Sequence, residues 1–572
     1  MRPWHLGNTT VRSPFRLKDG LNVLANSPLL GKVKGRENEN SFARLLNKNG
    51  IVNITRESSD ASDLGRKWRS ALSQLGFIIP EFISEEHNAS DGIGEPFTLS
   101  LNGKRLIESD TVPAMQECFL RSLAAYYIPS PIEKEYNFPS FSPLRHTLSI
   151  MLNLEDKTGD SWLNFLEMSL IVQLSNSNEN IALIADQILS FRKERFDSKN
   201  KRQFDQNQLD KAAEEHKYAA TTFKDYGDTN FRYLRATGLF QSRGRGLTII
   251  PEKHTFIEQL VNDKYVPNTA VEYINGLCNG AKLPTDNKNT AILVLNDLLK
   301  TAKANDIQYD MPNLNLDDVA NISIVRHEIE GLLAEKKEEE YAFRQSNEWE
   351  EISDYMELLI KRKRSKLLSN GEEIEIPQAE APAYFEWVLW RAFLAINSLK
   401  NKPYDARRFK IDQDFNPVGT APGNGPDLIF EFQDFTLVVE VTLTDNSRQE
   451  AAEGEPVRRH VANIVADTTS HYGKPIFGLF IANKIDSNTA ETFRIGVWYK
   501  GDDTKMALDI VPLTLDQFRI IFISMFKNNI VNPNYIFELL RECNSLRNNY
   551  EAPDWKKSIN EIINSKCEQL LS

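Results

Sequence analysis

Cysteine is scarce in this chain of 572 residues, with only Cys118, Cys278, Cys543 and Cys567. They are too dispersed to build a disulfide framework or a zinc ribbon, so a reducing compartment, the cytoplasm, is the natural reading. Long apolar runs are missing as well. No stretch approaches the ~20 residues needed to cross a bilayer, and the opening residues do not read as a secretory leader, so no membrane partner is expected. There is no internal repeat and no long low-complexity tract. A general basic excess is also absent: the net charge is −12, which taken alone argues against a nucleic-acid partner. What is present is ordinary for a globular chain, 41% hydrophobic and 26% charged residues, at a length that suggests three or four domains.

The distribution of charge changes that picture. Residues 1–75 hold 13 Lys and Arg against 6 Asp and Glu, a local balance of +7, and residues 192–246 hold 13 against 8, or +5. Two basic stretches in one half of an acidic chain place positive potential where a nucleic-acid recognition module would need it. Residues 1–290, divided near 140, read as mainly helical with short strands. Within them, a helical stretch carrying Arg232 and Arg235 stops at Gly238, and Gln241-Ser242-Arg243-Gly244-Arg245-Gly246 reads as a turn between the apolar runs Leu239-Phe240 and Leu247–Ile250. Helix followed by a basic, glycine-rich hairpin is the pattern of a winged helix, the helix suited to the major groove and the wing to the backbone. The alternative is a surface helix with an ordinary hairpin. Arginine makes two hydrogen bonds to guanine, so Arg12, Arg16, Arg232, Arg235 and Arg243 are candidates for base contact. Lys32 and Lys34, between Gly31 and Gly35, suit phosphate.

Residues 291–368 are charge-rich, running through Glu335–Glu340 and Lys361-Arg362-Lys363-Arg364, and read as a helical linker with little core of its own. A break at Ser369-Asn370-Gly371 and the stretch Pro377–Pro382 lead into the last domain, 369–572.

That domain carries the chemistry. Gly423-Asn424-Gly425-Pro426 marks a turn, so Asp427 should open one strand, and Thr436-Leu437-Val438-Val439-Glu440-Val441-Thr442 alternates as a second strand would. Period-2 geometry puts Leu437, Val439 and Val441 on one face and Val438, Glu440 and Thr442 on the other. If the strands pair, Asp427 and Glu440 converge, and two close carboxylates suit a hard cation such as Mg2+. The pattern resembles the PD-(D/E)xK nucleases, with Thr442 where their lysine usually stands. The bland alternative is a polar loop and a solvent-facing glutamate. Upstream, Tyr384–Phe393 reads as a strongly apolar helix carrying one acid, Glu386, which is costly to bury unless paired or bound to metal; a glutamate favoured by the helix dipole is the other reading. Downstream, Glu453-Gly454-Glu455-Pro456-Val457-Arg458-Arg459-His460 gathers acid, base and imidazole.

The blocks Phe385-Glu386-Trp387, Gly423–Asp427, Glu440-Val441-Thr442 and Glu455–His460 resemble the catalytic half of the AlwI-type restriction and nicking endonucleases. Arg12-Ser13-Pro14 with Leu21–Asn26 and Lys32–Gly35 is similar to that family's opening block, and Phe231–Phe240 to a mid-chain one, so the resemblance covers most of the chain in the family's order. Threonine at the lysine position is also a feature of that family. The resemblance implies a catalytic site of Glu386, Asp427, Glu440, Glu453 and His460, but not His471, with Asp427, Glu440 and Glu386 holding magnesium. It implies a type IIS enzyme that reads a short asymmetric sequence in double-stranded DNA and cuts a few bases outside it, leaving 5′-phosphate and 3′-hydroxyl ends. It further implies a cognate DNA methyltransferase in the cell, and a second strand that is left uncut, cut through a transient homodimer, or cut by a separate small catalytic subunit.

The expected fold is therefore multidomain α+β: a helical, winged-helix-like recognition region, a helical linker, and a C-terminal α/β cleavage domain of restriction-endonuclease type. Two other functions remain consistent with the residues, an inactive sequence-specific DNA-binding protein and a structure-specific repair nuclease.

Overall fold

The computed structural model describes residues 2–54, 59–82, 93–263, 266–369, 373–466 and 473–571. Of the features above, Asn370, Gly371 and His471 lie outside them. The chain divides into two compact units, 1–333 and 334–572.

The N-terminal unit is mainly helical and carries one small antiparallel sheet. Strand β1 (Leu163–Asn164) precedes helix α1 (Ala220–Arg235) and the hairpin β2 (Phe240–Arg243) and β3 (Gly246–Ile249), and β1 pairs with β3 in the order β1-β3-β2. The hairpin closes through Gly244-Arg245, with Gly244 at φ 55°, a conformation open to glycine at no steric cost. The buried side of α1 faces the N-terminal segment. There the Leu6 backbone N–H donates to Asn230 Oδ1 at 2.7 Å. A Cβ on Gly7 would fall 2.1 Å from the Tyr233 ring, so only glycine permits this close approach.

The C-terminal unit is built on a four-stranded sheet of β4 (Leu428–Glu431), β5 (Thr436–Thr442), β6 (Ile476–Ala482) and β7 (Asp509–Thr514), in the order β7-β6-β5-β4. The β4–β5 pair is antiparallel and the other two pairs are parallel. Two helices precede the sheet, α2 (Trp349–Lys361) and α3 (Ala381–Ile396), and the crossovers that parallel connections need are supplied by α4 (Glu455–Ala466) and α5 (Ser487–Ile495). Both faces of the sheet are covered, as parallel strands require. On one face Leu437 and Val439 pack with Phe385, Leu389 and Phe393 of α3. On the other, Val438, Phe480 and Ile510 pack with Val457 and Val461 of α4 and Phe493 of α5. The alternation expected along 436–442 is thus divided between two cores, each fully buried side chain contributing about 1.5–3 kcal/mol.

The segment 291–368 does not stand as a separate linker. Its early residues Ala291, Val294, Leu295 and Leu298 are buried in the N-terminal unit. Tyr341, Ile352, Met356 and Leu359 belong to the same core as α3. The basic charges 361–364 that suggested a connector are exposed, although Glu338 is buried, while residues 352, 356 and 359 recur at helical spacing on the inner side.

Helix α3 is buried along its length and carries a buried cation, Arg391, as well as its acid. The guanidinium donates to Gln345 Oε1 at 2.6 Å, Glu351 Oε1 at 2.8 Å and Glu348 Oε2 at 2.6 Å, and lies 4.6 Å from the Trp387 ring centroid. Removing one partner of a buried ionic network is strongly destabilising. Arg391→Met is therefore expected to cost about 3 kcal/mol or more, measured as a lowered urea midpoint; an unchanged midpoint would contradict this account of how α3 is anchored.

Candidate active site

The register of the β4–β5 hairpin brings the first two acids together. Leu428 stands opposite Val439, so continuing one place puts Asp427 opposite Glu440. Asp427 Oδ2 accepts the Val441 backbone N–H at 2.9 Å, and the charge of Glu440 bears on the Asp427 carboxyl. Neighbouring carboxyls repel one another when both are charged, so one holds its proton unless a cation lies between them.

Glu386 approaches from α3, buried, its Oε2 accepting the Ala421 backbone N–H at 2.7 Å. Burial, and then the charge of Asp427, pushes Glu386 up to about 9. Burial, and then Glu440, pushes Asp427 up to about 8. Glu440 is raised as well, by burial first and then by Glu453.

The remaining two residues come from the segment after β5. Glu453 lies on a π-helical turn, Glu450–Gly454, a geometry often found at functional sites. Burial raises its pKa, and the neighbouring Thr442 side chain opposes that rise. The Thr442 oxygen also accepts the Thr444 backbone N–H at 3.1 Å. Pro456 in the first turn of α4 suits a helix start, and His460 follows on the buried face with Val457 and Val461. His460 Nδ1 lies 2.6 Å from Glu440 Oε1, while its buried Nε2 has no hydrogen-bond partner. Burial lowers the imidazole pKa.

Arg408 was not among the residues singled out from the sequence. It donates to Asn424 Oδ1 at 2.6 Å and to the Pro426 carbonyl at 3.2 Å, holding the loop that leads into Asp427. A Cβ on Gly425 would sit 2.1 Å from its Nη1. Its charge acts on both Glu440 and His460. Arg408 has no periodic neighbourhood or motif, so only the fold reveals it.

The donor set fits a hard divalent cation, because buried, mutually repelling oxygen ligands are what such an ion stabilises. Among the described residues no three His, Cys, Asp or Glu side chains are already gathered as a metal cluster. Glu386 lines an open cleft of about 520 Å³ together with Arg362, Phe385, Thr442 and Asp445.

The proposed DNA contacts all lie in the N-terminal unit. Arg12 and Lys32 are exposed. Arg16 donates to the Gly50 carbonyl at 2.8 Å, and Lys34 pairs with Glu81. Arg232 pairs with Asp228 one turn earlier at 2.8 Å, and Arg235 donates to Ser242 Oγ at 3.0 Å, linking α1 to the hairpin. Arg243 pairs with Asp160 at 2.5 Å beside the Trp162 ring. Arg245, in the same turn, is exposed as well. All four cysteines are free and buried, and no helix among the described residues is long and apolar enough to cross a membrane.

A sequence model of restriction endonucleases matches the chain, so its class is that of the endodeoxyribonucleases. The match is to the AlwI restriction endonuclease family and runs over residues 73–521, through both units, and the chain belongs to that family. The mid-chain block Phe231–Phe240 and all five acid and imidazole residues of the site fall inside the matched range, and the opening block 12–35 falls before it. Comparison with curated protein sequences gives no match. Among solved structures, the small subunit of the heterodimeric restriction endonuclease R.BspD6I is 25% identical with a TM-score of 0.28, covering 37% of this chain and 98% of that one. The BpuJ1 endonuclease binding domain, solved with modified DNA, is 12% identical with a TM-score of 0.28 over 46% of this chain and 89% of that one. Restriction endonuclease FokI is 11% identical with a TM-score of 0.25 over 94% and 99%. At such TM-scores none of the three bears on the fold.

Proposed function

We propose that this chain is a type IIS restriction or nicking endonuclease, which reads a short asymmetric sequence in double-stranded DNA and hydrolyses a phosphodiester bond a few bases outside it. The observation that carries this reading is the strand register that sets Asp427 opposite Glu440, with Glu386 close enough to feel both charges, in a chain of a restriction endonuclease family.

Asp427, Glu440 and Glu386 would hold magnesium, which when bound polarises the phosphate, lowers the pKa of the attacking water and neutralises the departing oxygen. The protein residues then orient and move protons. His460 fixes Glu440 through Nδ1 and leaves Nε2 to accept a proton from the water. Thr442 offers only a hydroxyl, whose oxygen accepts the Thr444 backbone N–H, and a hydroxyl is too weak a base to take the proton. Glu453, its pKa raised by burial, is the second proton acceptor. The product ends are 5′-phosphate and 3′-hydroxyl.

Residues 1–290 would be the recognition region, with α1 and the β2–β3 hairpin acting as a winged helix and Arg12, Arg16, Lys32, Lys34, Arg232, Arg235 and Arg243 contacting DNA. A transient homodimer or a separate small catalytic subunit would supply any second cut, and a cognate methyltransferase would protect the host.

Incubating the purified chain alone with supercoiled plasmid and magnesium, then sequencing both strands by run-off, tests the reading. The expected product is a break at one fixed offset from a shared short sequence. Breaks at branches or ends without a shared sequence would instead favour a repair nuclease, and sequence-specific binding without any break would favour an inactive binding protein.

A further inference from the structure

The basic turn Lys361–Arg364 belongs to the C-terminal unit, and Arg362 lines the same cleft as Glu386. Arg362 caps the C-terminus of α2 in the left-handed region, at φ 51°. That position is usually given to glycine, which adopts it without strain. An arginine there is the costlier choice, and what it adds is a guanidinium at the cleft.

The side chain pairs with Asp445, which lines the cleft too. This pair is exposed, 63% for Arg362 and 37% for Asp445. Exposed pairs are weak and screened by salt, so their partners exchange readily. Other cations of the same unit are committed differently. Arg407 makes two bonds to the buried Glu338, Arg391 is fully buried in its own network, and Arg408 holds the Asn424–Pro426 loop. Lys363 is exposed beside Arg362. A carboxylate and a phosphate present comparable oxygens to a guanidinium, which binds either one through paired N–H groups.

We propose that Arg362 grips a backbone phosphate of the DNA strand entering the cleft, and that Asp445 occupies the phosphate's place until DNA arrives. The inference rests on the nuclease reading above and adds to it a cleavage-side contact, separate from the recognition region. On this account the two members of the pair act in opposite directions on DNA: Arg362 attracts the backbone, and Asp445 competes with it.

The test uses the full chain in an Asp427→Ala background, so that the DNA is bound without being cut. Two duplexes are compared, one extending through the mapped cut position and one ending between it and the recognition sequence. Arg362→Gln is expected to weaken binding to the long duplex on the order of tenfold and to lower its log–log salt dependence by about one, the signature of one lost phosphate contact. Asp445→Asn is expected to tighten binding to the long duplex severalfold. Neither change should alter binding to the short duplex. Because the pair is exposed, both variants should melt with the parent chain, and Arg362→Lys, which keeps the charge, should retain most of the affinity. If both substitutions weaken binding, the pair is only a structural latch and the proposal falls; it falls equally if the long duplex shows no change or the short one changes as much. Failure of the parent reading is separate, because it would appear as a wild-type chain with no fixed cut position.

Discussion

Asp427→Ala and Glu440→Ala are each expected to abolish cleavage, by about three orders of magnitude or more, while sequence-specific DNA binding persists. The size follows from the number of tasks lost together. Each carboxylate would hold the cation, and without it the water keeps its high pKa and the leaving oxygen its charge. Binding persists because the substitutions sit in the C-terminal unit, just before β4 and within β5, whereas the proposed DNA contacts lie in the N-terminal one. Plasmid cleavage assays and gel-shift titrations with both variants provide the check. Undiminished cutting by either variant would remove that residue from the site.

A second large effect concerns stability without metal. Burial, together with Asp427 and Glu440, pushes Glu386 up to about 9, and burial with Glu440 pushes Asp427 up to about 8. Carboxyls of the unfolded chain titrate near ~4. A carboxyl whose folded pKa is raised binds its proton more tightly in the native state. Its stabilising contribution is complete below the unfolded value and is lost as pH rises through the folded one. In chelator, the melting temperature is therefore expected to fall from about pH 5 to about pH 9. Glu386→Gln, which carries no charge at any pH, should melt several degrees above wild type near pH 8 and close to it near pH 5. Magnesium should restore the wild type more at pH 8 than at pH 6, because at the lower pH it must displace bound protons. Melting curves at the three pH values, with and without magnesium, decide the matter. A wild-type curve indifferent to pH, or a Glu386→Gln variant no more stable at pH 8, would show that these carboxyls are not held in mutual repulsion.

Much of the candidate site's geometry could be read from local sequence, because the placement of its strand and helix follows local rules. The alternation along 436–442 made a strand whose two faces enter two cores, and the turn at 423–426 placed Asp427 just before its partner strand. The apolar stretch 384–393 lies within a longer helix, 381–396. Glu453 and His460 were harder, since a π-helical turn has no sequence periodicity to follow and their distance from Glu440 is fixed by α4 crossing over the sheet. Arg391 and Arg408 escaped because their partners are distant in sequence: Gln345, Glu348 and Glu351 for the first, Asn424 and Pro426 for the second. The supposed linker was misread because surface charge outnumbered the apolar stripe at 352, 356 and 359, which carries the packing.

The pairing of Asp427 with Glu440 is a property of strand alignment and of neither residue alone. Side chains alternate along a strand, so a single residue inserted into the turn between Glu431 and Thr436 would shift β4 by one place and send Asp427 to the opposite side of the sheet. Every residue of the proposed catalytic set would still be present, in the same order, in a chain that had lost its centre. The length of that four-residue turn is thus as much a determinant of the chemistry as the acids themselves.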